Sequence, residues 1–282
     1  MAEKIRIKGH EKFPLREGWL TKGLFASKDN NKIFNEITAP DTLGVGTNMV
    51  KSIRYWMQAF NLLEKKGNSE ILSEFAETII EKDIYFEDIF TLWMLHSNIS
   101  KNRSVATSWY TFFNRFDVEE FEKEEAIKFL CTEISNMAGQ KVLENSVKDD
   151  VDVLLNMYSR FNDALDDPED KNQSPLSILG LIKKSGNTYC KVQPDLRKIK
   201  DDVVLYEVSC LLQEKTSISI DDLVMGDNGI GRIFNLSRVT SNNYLERFDA
   251  KEFIRLDRTA GLDMIYKKDM PNPIEIIKEH YR

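Results

Sequence analysis

Residues 44–67 read Gly44-Val45-Gly46-Thr47-Asn48-Met49-Val50-Lys51-Ser52-Ile53-Arg54-Tyr55-Trp56-Met57-Gln58-Ala59-Phe60-Asn61-Leu62-Leu63-Glu64-Lys65-Lys66-Gly67. Gly44 and Gly46 punctuate the chain and open a helix predicted from about Thr47 to Leu63. Val50, Ile53, Trp56 or Met57, and Phe60 recur at spacings of three and four, which is one buried stripe. Thr47, Asn48, Lys51 and Arg54 fall on the other side. Residues 62–72 then fold back as a short hairpin that carries Lys65 and Lys66 and turns at Gly67-Asn68. Any core helix has such a stripe. The polar residues in the first two turns and the basic hairpin behind them are the additional signal, and together they have the build of a recognition helix followed by a wing. The stretch predicts contact with DNA, with Lys22 just upstream as a further phosphate partner.

The last third of the chain has the same outline. A helix over Val203–Gln213 precedes a short one starting at Ser219, a turn at Gly226–Gly231, and a polar-faced helix from Asn235 to Phe248. That last helix carries Arg238, Thr240, Ser241, Asn242, Asn243 and Arg247 as candidate DNA contacts. Two short strands follow, Phe253–Arg258 and Leu262–Lys268, with Arg255 and Arg258 on the first. The fold class expected is mainly α with short β-hairpins (α+β): two winged-helix-like domains, 1–103 and 173–282, joined by an acidic helical middle over 104–172. Smaller elements are also predicted: a strand-like start at Ile5–Lys8, a basic and aromatic loop over 9–23, a helix from Lys32 to Ile37, and a turn at Ala39-Pro40-Asp41.

Charge follows this division. The net charge of −7 weighs against a nucleic-acid binder as a whole, but residues 1–66 hold 12 Lys/Arg against 7 Asp/Glu. Residues 67–170 hold 9 against 23, and residues 171–282 hold 18 against 16. A phosphate backbone would therefore be met by the ends, while the middle reads as solvated helix faces. No apolar run approaches the roughly 20 residues of a membrane helix, and the polar, basic N-terminus does not read as a secretion signal. Cys131, Cys190 and Cys210 lack paired spacing, which argues against zinc and fits reduced thiols in the cytoplasm.

Catalytic patterns are sparse. The acidic clusters Asp149, Asp150, Asp152 and Asp163, Asp166, Asp167, Glu169, Asp170 read as helix caps and linker, less readily as a metal site. The clearest candidate for acid–base or phosphate chemistry is His10 with Glu11 and Arg16: a proton shuttle beside a guanidinium that can clamp a phosphate. The alternative is a structural loop tied down by Phe13 and Trp19. Cys190 in Asn187–Lys191 reads as a core thiol on a strand before it reads as a sulfur carrier. The two glycine turns lack a Walker ending, although the amides opening the Thr47 helix offer a phosphate seat.

The segments Gly9-His10-Glu11-Lys12-Phe13-Pro14-Leu15-Arg16-Glu17-Gly18-Trp19-Leu20-Thr21-Lys22-Gly23 and Leu43–Trp56, with Ser174–Ile182, resemble a bacterial family, the SspB-like proteins of single-strand DNA phosphorothioation systems. The family pattern often has Lys where this chain has Thr47, which removes one phosphate contact. The resemblance implies a DNA-nicking subunit of a modification and anti-phage defence system. It also implies cysteine desulfurase, ATP-pyrophosphatase and ATPase partners, and Mg or Mn if the protein nicks. A non-catalytic DNA-recognition adaptor and a winged-helix transcriptional regulator are the alternatives.

Overall fold

The computed structural model describes residues 4–67, 69–160, 174–261 and 263–282. The chain divides into two compact units, Met1–Val192 and Gln193–Arg282. No helix among the described residues is long and apolar enough to cross a membrane.

In the first unit, α1 (Trp19–Asp29), α2 (Ala39–Leu43) and α3 (Thr47–Ala59) precede an antiparallel hairpin of β1 (Leu63–Lys66) and β2 (Ser69–Leu72). Leu63 stands opposite Leu72 and Lys66 opposite Ser69. The Gly67 end of the expected hairpin turn is described, while Asn68 lies outside the described residues. Next come α4 (Glu74–Lys82), capped by the Ser73 side chain on the Ala76 amide, and α5 (Ile89–Lys101). Every residue of α5 from Phe90 to Ser100 is buried. A helix apolar on all sides belongs at the centre of a core, and its few polar groups are satisfied there: His96 Nδ1 lies 2.8 Å from the Tyr158 hydroxyl, and Asn98 donates to the Phe60 carbonyl. The unit closes with α6 (Thr107–Asn114), β3 (Glu120–Glu122), α7 (Lys123–Ala138), α8 (Glu144–Tyr158), β4 (Ser159–Arg160), β5 (Ile182–Ser185) and β6 (Thr188–Lys191). The sheet order is β3-β6-β5-β4, with β4 and β5 parallel and the other pairs antiparallel.

The second unit runs α9 (Asp201–Leu211), β7 (Ser217–Ser219), α10 (Ile220–Met225), α11 (Ile230–Ile233), α12 (Arg238–Ala250), β8 (Ile254–Asp257), β9 (Met264–Lys267) and α13 (Pro273–His280). Its antiparallel sheet has the order β7-β9-β8. Val208, Leu223, Phe234, Leu245, Phe248 and Ile265 are buried in its core.

The fold is therefore mixed α+β, mostly helical with small sheets. Several local expectations differ. The segment Ile5–Lys8 forms no strand; its backbone is tied to side chains instead, Arg6 N donating to Thr107 Oγ1 and Lys8 N to Asp150 Oδ1. Residues 19–23 open α1, because Gly18 at φ 76 turns the incoming chain and Trp19, Leu20, Gly23 and Leu24 make a buried stripe. The helix expected over 32–37 is a single turn at Ile33–Asn35, and Pro40 starts α2 where a bare turn was expected. The expected division at 103 and 172 also differs from the compact units. β6 pairs with β3, and this carries 182–191 into the first unit. The acidic cluster expected over 163–170 and most of the linker expected over 166–175 lie outside the described residues; at the linker's end Ser174 caps a short helical turn at Pro175–Leu179.

Candidate nucleic-acid interface

The surface built by α3 begins with its two glycines. Gly44 ends α2 at φ 62, a left-handed conformation that suits glycine, and Gly46 precedes α3 with no side chain capping the helix. The first amides of α3 therefore point outward without a side-chain acceptor, at the positive end of the helix dipole. Val50, Ile53, Trp56, Met57 and Ala59 are buried, whereas Thr47, Asn48 and Lys51 are exposed. Among the described residues the Lys51 ammonium reaches only Asn48 Oδ1, at 3.3 Å. Lys65 and Lys66 are exposed on β1. Lys22, on α1, donates to the Leu43 carbonyl beside the Gly44 turn at 3.1 Å.

Arg54 differs from these lysines. Its guanidinium pairs with Glu70 on β2 at 2.9 Å and donates to Asn35 Oδ1 at 3.0 Å. It fixes the hairpin to the helix, so it is less available to a phosphate than its place in the sequence suggested. Arg6 and Gln58, which the sequence reading passed over, line a cleft of about 250 Å³ beside Lys51 and Arg54. Arg6 Nη1 donates to Gln58 Oε1 at 2.6 Å and its guanidinium lies over the Tyr55 ring. The basic residues of Ile5–Lys8 were the available signal for Arg6, but nothing local says that they return to α3.

His10, expected as a proton shuttle, lies inside the core. Its ring is fully buried, stacked against Trp56 at 5.8 Å and edge-on to Tyr55 and Trp109. Nδ1 accepts from the Lys12 amide at 3.1 Å and Nε2 lies 2.9 Å from Asp150 Oδ1, which places the ring proton on Nε2. The proton-shuttle role expected of it would require this sealed ring to become accessible to a phosphodiester. Glu11 is exposed at φ 50, and Arg16 lies over the Trp19 and Phe13 rings at 5.4 and 5.8 Å. The three residues thus do not converge on one reacting point. Asp150, also buried, accepts from Lys8 N at 2.7 Å and from Ser108 Oγ at 2.5 Å. Burial raises the pKa of the Tyr55 phenol, the Asp150 charge adds to that, and Arg6 opposes it.

In the second unit, α12 starts at a Ser237 cap and leaves Val239 72% exposed and Asn243 exposed. Thr240 and Ser241 are buried, and Thr240 donates to Gln193 Oε1 at 3.0 Å, so neither is placed to touch a base. Asn242 is half-buried. The four arginines expected to meet DNA are paired with carboxylates: Arg238 with Asp221 at 2.6 Å, Arg247 with Asp201 at 2.8 Å, Arg255 with Asp257 and Arg258 with Glu246, both at 3.5 Å. Burial works against the charge on Asp201, but Lys251 and Arg247 outweigh it and hold the carboxyl below its ordinary value.

The acidic cluster of α8 does not fit a metal ion. Asp149 pairs with Lys8 and Lys12, Asp152 with Lys123, and Asp150 faces the core. No group of three or more His, Cys, Asp or Glu that could hold a metal occurs among the described residues.

Fold and surface together define a mostly helical α+β protein with a lysine-bearing helix and hairpin on its first unit. The chain belongs to the family described as protein of unknown function (DUF4007), whose model matches residues 7–281. Its fold is that of SspB. A magnesium ion-bound SspB crystal structure superposes with a TM-score of 0.88 at 24% identity, covering 99% of this chain and 89% of that one. An SspB crystal structure gives 0.86 at 23%, with the same coverage. No curated protein matches the chain.

Proposed function

We propose that this chain is a DNA-binding component of a bacterial DNA phosphorothioation system, holding the duplex through α3 and the β1–β2 hairpin. The observation that carries the reading is the surface of Thr47, Asn48, Lys51, Lys65 and Lys66, exposed around an uncapped helix start. Among the described residues these lysines have no carboxylate partner, and such lysines exchange counterions for phosphates at no cost in broken ion pairs. The sequence resemblance and the SspB fold supply the system. A winged-helix reading of both units is supported by element order: α1, α2, α3, β1, β2 in one, and α9, β7, α10, α12, β8, β9 with sheet order β7-β9-β8 in the other. In the second unit Val239 and Asn243 are the side chains left to face bases, since the arginines must first release Asp221, Asp201, Asp257 or Glu246.

The stronger reading is that the protein nicks the strand to be modified. It is favoured by the sequence resemblance and by the magnesium ion in one SspB structure. Purified protein with supercoiled plasmid and Mg²⁺ or Mn²⁺ separates the two. Relaxed circles above a heat-inactivated control support nicking. Plasmid retardation without relaxation leaves a DNA-binding adaptor, and absence of both refutes the proposal.

A further inference from the structure

A cavity of about 520 Å³ lies beside the surface just proposed, lined by Arg16, Lys22, Tyr85, Phe86 and Glu87 among others. That volume lies in the range of small-ligand sites. Its walls are fixed by specific bonds. Thr21 Oγ1 on α1 donates to the Ile84 carbonyl at 2.8 Å. Asp83 accepts from the amides of Glu87 and Asp88 at 2.9 and 3.2 Å, and its carbonyl accepts from Phe86 N at 3.0 Å. The clamp holds Phe86 at φ 57, a left-handed conformation that an aromatic residue rarely adopts. The cavity is thus shaped before any ligand arrives.

Its chemistry is mixed in an informative way. The Arg16 guanidinium rests on two aromatic rings, and among the described residues its buried Nε has no hydrogen-bond partner. A guanidinium beside a cavity pairs best with a planar or tetrahedral oxyanion. Lys22 stands on the same wall with one bond spent on Leu43. Tyr85, 69% exposed, offers a ring to stack against. Glu17 and Glu87 also line the cavity. Two carboxylates disfavour a bare anion and favour a ligand that brings hydrogen-bond donors along with its negative charge.

We infer that this cavity binds one nucleoside phosphate unit, its phosphate on Arg16 and Lys22 and its base against Tyr85, with Glu17 and Glu87 accepting from the base or sugar. The unit is either a free nucleotide or a nucleotide turned out of a strand held on α3, and in the second case the inference rests on the DNA-binding proposal. Unstacked bases are read by such combinations of aromatic face and cation.

The test is titration of the full chain with deoxyadenosine monophosphate, with inorganic phosphate, and with a short single-stranded oligonucleotide carrying 2-aminopurine. Expected are saturable nucleotide binding, weaker binding of inorganic phosphate, and a fluorescence change from the oligonucleotide if a strand is the source. Tyr85→Ala should weaken nucleotide binding about 5-fold or more, and Arg16→Ala about 10-fold or more with Arg16→Lys intermediate. Melting temperatures identify any variant that fails to fold, and Tyr85, being exposed, provides the variant least exposed to that failure. The Lys51→Ala, Lys65→Ala, Lys66→Ala triple variant should keep nucleotide binding while losing duplex affinity. If it keeps duplex affinity while Tyr85→Ala loses the nucleotide, the α3 reading fails and the cavity stands. No nucleotide binding by the wild type, equal binding of inorganic phosphate, or unchanged binding by folded Arg16→Ala and Tyr85→Ala variants overturns the inference.

Discussion

Replacing Asp150 by alanine should destabilise the first unit more than any surface change. The carboxylate is buried and accepts from the Lys8 amide at 2.7 Å, His10 Nε2 at 2.9 Å and Ser108 Oγ at 2.5 Å. Truncation leaves His10 Nε2 and Ser108 Oγ in the core, and the half-buried Lys8 amide, without an acceptor, at about 1–3 kcal/mol for each donor that finds no new partner. Ser108 can rotate toward another acceptor, but the Lys8 amide cannot. The sum is about 3–5 kcal/mol, the scale of a broken buried polar network. The damage centres on α3, since the His10 ring stacks on Trp56 and meets Tyr55 and Trp109 edge-on. Urea unfolding followed by tryptophan fluorescence reads this directly, and the melting temperature should fall by roughly 10 °C. Asp150→Asn keeps the volume and one acceptor and should lose about half as much. A loss below about 1 kcal/mol for Asp150→Ala would refute the claim that this network seats the candidate DNA surface.

Gly23→Ala should cost about 1–3 kcal/mol in the same unfolding assay, because a Cβ there would sit 2.2 Å from Met57 Sδ and 3.0 Å from Ile53 Cγ2 on α3. Asp149 is partly buried, which opposes its charge, but Lys8 and Lys12 hold its carboxyl below the ordinary value. It therefore contributes stability above about pH 4 that is lost as the pH falls through the lowered folded value. Asp149→Asn should flatten the urea midpoint against pH on the acid side, and an unchanged acid limb would contradict the pairing. Arg54→Ala should move the hairpin's amide exchange more than the salt dependence of DNA binding, since Glu70 and Asn35 already hold the guanidinium.

Much of the frame around α3 could be read from the chain, because periodicity and glycine punctuation are local properties. The Val50–Phe60 stripe, the 63–72 hairpin, the Ser73 cap and the helix–helix–hairpin order after residue 201 all rest on neighbours in sequence. What was not legible depends on long-range closure. β3 meets β6 across roughly seventy residues, and no local pattern in Glu120–Glu122 announces a strand. His10 reads as a free imidazole in a polar loop until Asp150, 140 positions away, and Trp56 enclose it. The arginines after residue 237 read as a basic face, but their partners Asp201 and Asp221 come from other elements. Tyr85 and Arg16 likewise meet at a cavity only because α1 packs beside the 83–88 loop.

The most direct measurement of the central claim is the slope of log affinity against log salt for a duplex, wild type against the Lys51→Ala, Lys65→Ala, Lys66→Ala variant. If each lysine neutralises one phosphate, the slope should become shallower by about 2.7, at about 0.9 per contact. A variant that folds normally and keeps both the wild-type slope and the wild-type affinity would contradict the assignment of α3 and its hairpin to DNA.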